Sequence, residues 1–83
     1  MTARIEFNLH SDLSATVRVA EEHLREGDAV DLHLKFRGRE MAHTAIGLEL
    51  VRRVVFQLAT VGSVTSEPRL VGRNLHVTLA PLR

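Results

Sequence analysis

Residues 30–60 read VDLHLKFRGREMAHTAIGLELVRRVVFQLAT, and this stretch decides the fold. Val30, Leu32, Leu34 and Phe36 alternate with Asp31, His33 and Lys35, the period of two that a strand with one buried face requires. The polar loop Arg37 to Glu40 follows, with Gly38 permitting a tight turn that splays Arg37 and Arg39 outward. From Met41 to about Thr60 the chain is rich in leucine, valine and alanine and has no proline, so a long second helix ends before Gly62. Val51, Val54, Leu58 and Val61 recur at spacings of three and four and form its buried stripe, which turns Phe56 toward another side.

Outward from this unit the pattern repeats. Upstream, Ile5, Phe7 and Leu9 alternate with Arg4, Glu6 and Asn8, a first strand over Arg4 to Leu9. Ser11 or Asp12 caps a helix from about Asp12 to Glu26 whose apolar positions are Leu13, Val17, Ala20 and Leu24, and Gly27 supplies its left-handed stop. Downstream, Val64 to Arg69, a turn around Gly72 to Asn74, and Leu75, Val77 and Leu79 before Pro81 read as a closing hairpin. The order β-α-β-α-β-β with short connections implies a parallel pair joined by a crossover and a final antiparallel pair. The expected class is α/β, an α+β two-layer sandwich: a four-stranded mixed sheet with two helices on one face and polar alternates on the other. An 83-residue chain accommodates one core, so residues 1–83 form a single domain.

Composition narrows the chemistry. There is no cysteine, hence no disulfide framework and no thiolate site, and a reducing cytoplasm is the expected location. No apolar run approaches the roughly 18–20 residues of a membrane span, so no membrane role is expected. No glycine run precedes a lysine, and no serine or threonine sits in an elbow motif, so neither nucleotide hydrolysis nor nucleophilic catalysis is indicated. His10, His33 and His76 fall on polar strand positions and could share a face, but without a fourth ligand they read as solvated strand histidines; no metal or cofactor is expected.

Charge is divided along the chain. Up to Leu34 three arginines stand against seven acidic residues; from Lys35 onward eight basic residues stand against three acidic ones. Ten of the eleven bases are arginine, whose planar fork suits phosphate better than an ammonium does. With three phenylalanines and no tyrosine or tryptophan, a base-stacking platform is hard to build, so nucleic-acid contact would be to backbone and shape. Lys35, Arg37 and Arg39 converge where the strand enters the helix, beside the positive end of helix two, a corner that favours phosphate. The competing reading is an arginine-rich loop paired with Glu40 and solvent.

The run FRGREMAH at 36–43, followed by Ile46, Gly47, Glu49, Arg53 and Val54, resembles the carboxy-terminal domain of bacterial translation initiation factor 3. Glu26, Gly27 and Asp28 match that family's helix-to-strand turn, and Gly72, Arg73 and Asn74 with Leu79, Ala80 and Pro81 match its final hairpin. The resemblance implies a non-enzymatic module that docks on the small ribosomal subunit and its ribosomal RNA, opposes premature subunit joining and supports start-site selection. It also implies RNA-binding residues: Arg18 on helix one, Lys35 at the end of strand two, Arg37 and Arg39 in the loop, Arg53 on helix two and Arg73 in the hairpin. Relatives normally add an amino-terminal domain and a lysine-rich linker, so the chain reads either as an excised domain or as a stand-alone relative.

Two alternatives stay open: a paralogue serving another structured RNA or ribosomal state, and an oligomeric interaction protein. The second draws on a departure from the family. Relatives generally place polar or charged residues where this chain has Val55, Phe56 and Ala59, which therefore form a candidate self-association surface for a homodimer through helix two, unless helix one or the hairpin covers Phe56.

Overall fold

The computed structural model describes residues 1–82. Strand β1 spans Thr2–Asn8, helix α1 Leu13–Arg25, strand β2 Ala29–Lys35, a 3-10 segment Gly38–His43, helix α2 Thr44–Gln57, strand β3 Gly62–Val71 and strand β4 Asn74–Pro81. The sheet runs in the order β1-β2-β4-β3. β1 lies parallel to β2, while β4 is antiparallel to both β2 and β3, so the sheet is mixed as expected.

One face of this sheet is covered by the helices. Val30, Leu32, Leu34 and Phe36 from β2 and its exit join Leu75, Val77 and Leu79 from β4 in the core, closed by Ala20 and Leu24 of α1, by Val51 and Val54 of α2 and by Leu58 just past its end. The alternates Asp31, His33 and Lys35, with Arg4, Glu6 and Asn8 in register beside them, form the open face. α2 sits very close to β2: a side chain at Gly47 would overlap the Phe36 ring and Leu34, so the residue must be glycine for the two layers to meet.

The helix ends follow local chemistry. Asp12 caps α1 by accepting from the Ser14 N–H at 3.0 Å. At the other end Gly27 takes φ of 91°, and the Asp28 and Gly27 amides donate to the His23 and Leu24 carbonyls, so the left-handed stop is a Schellman turn. In the β3–β4 hairpin Gly72 carries a φ of 62° at the first central position, as a type II′ turn requires.

Expectations about helix two, strand one and the histidines are corrected. Helix two does not begin at Met41: the Arg37 carbonyl accepts from the Glu40 N–H at 2.9 Å, starting a 3-10 segment, and His43 leaves the helical region before α2 starts at Thr44. It also ends at Gln57 rather than Thr60, because Leu58, at φ −95° and ψ 2°, leaves the helical region and the Ala59 amide reaches back only three residues, to the Phe56 carbonyl. Strand one stops at Asn8, leaving Leu9 and His10 in a turn held by the Ser11 N–H to the Asn8 carbonyl. His10 therefore shares no face with His33 and His76, and His33 is not solvated: it is 6% exposed, its ring centroid 4.0 Å from that of His76 across β2 and β4.

Candidate nucleic-acid interface

The carboxyl ends of β1 and β2, the 3-10 segment and the β3–β4 turn meet at one end of the sheet. The Phe36 N–H donates to the Arg73 carbonyl at 2.8 Å, which ties the hairpin tip to the chain just before Arg37. Arg37, Gly38 and Arg39 line a shallow hollow there together with His10 and Glu40. This edge, beyond the carboxyl ends of the parallel strands, is where open α/β sheets commonly receive ligands.

Among the described residues Glu40 forms no ion pair with these arginines. Its carboxylate accepts from the Arg37 backbone N–H at 2.7 Å and lies 3.3 Å from His10 Nε2, and its side chain is only 15% exposed. Glu40 thus folds the loop, and the guanidinium groups are left to solvent. Among the described residues Arg37, Arg39 and Arg73 are exposed and belong to no ion pair. The contribution from the end of helix two is smaller than the sequence suggests, because α2 begins only at Thr44, beyond the 3-10 segment.

The other predicted residues are dispersed. Lys35 faces the open side of the sheet, its Nζ 3.3 Å from Glu6 Oε1, so it does not converge freely with Arg37 and Arg39. Glu6 also takes Arg4 at 2.9 Å, and the hydrogen bond from Lys35 holds its carboxyl below the usual carboxylate range. Arg18 and Arg53 are exposed on α1 and α2 and, among the described residues, are in no ion pair. Val55, Phe56 and Ala59 lie elsewhere, lining a groove between α2 and β3 with Leu48, Arg52 and Pro68. Neither helix one nor the hairpin covers Phe56, which is 81% exposed.

Two residues escape the sequence pattern. Alternation puts His10 on a strand, although the Asn8–Asp12 cluster of turn formers signals the bend that brings it to Glu40. Arg69 on β3, in register with His76 of β4, does not stand out because an edge strand gives no alternation from which to place it.

Comparison with known proteins assigns the family. The model of the translation initiation factor IF-3 C-terminal domain matches residues 1–82. The chain belongs to this family. It is 47% identical over 70 residues to translation initiation factor IF-3 of Chromobacterium violaceum and 41% identical over 70 residues to those of Mesorhizobium japonicum and Pseudomonas putida. Each alignment covers 84% of this chain and 38–40% of the relative, so the chain spans about two fifths of the length of these IF-3 proteins. No helix among the described residues is long and apolar enough to cross a membrane.

Proposed function

We propose that this chain acts in the cytoplasm as a non-enzymatic module of translation initiation, docking on the small ribosomal subunit through the phosphates of its ribosomal RNA. Arg37, Arg39 and Arg73 are the central contacts, Arg18 and Arg53 flank them, and Lys35 contributes least because Glu6 already holds it. Docked in this way the domain opposes premature joining of the large subunit and supports start-site selection. One observation carries the reading: in a member of the IF-3 C-terminal family, the arginines at the strand-end corner are exposed while the Glu40 carboxylate beside them is spent on the loop's own backbone. Guanidinium groups without partners offer planar, bidentate donors to phosphate and incur no cost of breaking a prior ion pair.

Co-sedimentation of the chain with purified small subunits between about 50 and 200 mM salt tests this. Three to five phosphate contacts predict a linear fall of log affinity with log salt, amounting to roughly 40- to 500-fold over that range. No co-sedimentation at the lower salt, or an affinity indifferent to salt, would contradict the proposal.

A further inference from the structure

α2 carries an exposed stripe that the fold leaves without a partner. Ala45, Ile46, Glu49, Arg52 and Phe56 follow one another at helical spacing and so lie on one side of the helix, with Arg53, four residues after Glu49, at the margin of the stripe. Its two ends are apolar, with Ile46 52% exposed near the start and Phe56 81% exposed near the finish. Its middle is charged, and among the described residues neither Glu49 nor Arg52 belongs to an ion pair. Hollows open beside both ends: Ala45, Ile46 and Leu48 line one with Glu49 and Arg52, and Phe56 overhangs the other against Val64 and Pro68 of β3.

This order of side chains is complementary to its own reverse. When two such helices lie antiparallel about a twofold axis midway between Glu49 and Arg52, Glu49 of each copy faces Arg52 of the other. The same placement sets Phe56 of each copy over Ala45 and Ile46 of its mate. We infer that α2 is the contact surface of an antiparallel homodimer, with two Phe56 anchors at the ends and two reciprocal Glu49–Arg52 pairs between them. A closed, isologous contact of this kind needs no other partner, and it covers an aromatic side chain that a small monomer would otherwise expose. The 14-residue helix is about 21 Å long, so the contact falls short of the roughly 800 Å² per partner of a standard interface. The dimer is therefore weak and concentration-dependent.

Sedimentation equilibrium from about 10 µM to about 1 mM, the range in which so small an interface associates, reads the assembly directly. The average mass is expected to rise from 9.3 kDa toward twice that value. Phe56→Glu should hold it at the monomer while leaving the circular dichroism spectrum unchanged. The geometry is tested by charge exchange. Glu49→Arg or Arg52→Glu alone sets like charges opposite each other and weakens self-association at least ~10-fold. An equal mixture of the two variants restores it, because the arginine introduced in one copy then meets the glutamate introduced in the other. A wild-type mass of 9.3 kDa at every concentration would overturn the homodimer, and so would a mixture that associates no better than either variant alone.

Discussion

The strand-end corner and the open face of the sheet both carry cations, but beside β1 and β2 those of the open face are already paired, and Arg69 on the edge strand β3 is the exception. On the open face Lys35 and Arg4 share Glu6, and Asp31 accepts a hydrogen bond from Thr78. At the corner the carboxylate of Glu40 is taken up by the Arg37 backbone and lies beside His10, so Arg37 and Arg39 carry their charge outward. Counting basic residues would rank the two surfaces alike. Their partners separate them, because a cation already hydrogen-bonded to a carboxylate must give up that interaction to bind phosphate.

The largest effect that could break this contrast is charge reversal at the corner. Arg37→Glu with Arg39→Glu should weaken binding to small subunits by about 100-fold at fixed salt, since two charge-assisted contacts are replaced by repulsion. Equilibrium binding by light scattering or filter retention would read it. The seating of the corner can be disturbed from inside as well. Gly47→Ala should destabilise the fold by about 1–2 kcal/mol in urea titrations despite alanine's higher helix propensity, because the added methyl meets the Phe36 ring.

Smaller effects sharpen the comparison. Arg53→Glu or Arg73→Glu should each reduce affinity about 10-fold, the cost of one charged contact. Lys35→Ala should change affinity less than about threefold, because its partner Glu6 leaves it little to give. A test internal to the open face uses pH. Burial, with His76 alongside, lowers the pKa of His33 below its ordinary 6.5, so the folded protein resists protonating it. Stability contributed by the neutral ring is therefore full above about pH 6.5 and is lost as pH falls from there to the lowered folded pKa. Denaturation midpoints at pH 7 and pH 5 should differ less in His33→Asn than in the wild type.

Much of the fold is legible in the sequence. The alternation in residues 30–36 and 75–79 is regular because β2 and β4 are the central strands, each with one face against the helices. The third strand reads as Val64 to Arg69 but spans Gly62–Val71, since an edge strand with register irregularities and mostly exposed side chains leaves no hydrophobic period. The FRGREMAH resemblance supplies the candidate basic positions but not their availability. That Lys35 meets Glu6 depends on the parallel pairing of β1 and β2, and that Glu40 turns inward depends on the 3-10 segment, neither of which a one-dimensional pattern encodes. That Phe56 departs from the buried stripe of α2 is legible in the sequence, and that neither helix one nor the hairpin covers it is seen only in the fold.

On the proposed function, unpaired cations, rather than cations as such, make the RNA-binding surface. The most direct test is the slope of log affinity against log salt for small-subunit binding, measured for the wild type, for Arg37→Ala with Arg39→Ala, and for Arg4→Ala with Lys35→Ala. The corner variant should lose a slope of about 1.5 to 2, close to one unit per phosphate contact removed, while the open-face variant should keep the wild-type slope. An equal loss of slope in both variants, or no loss in the corner variant, would contradict that assignment.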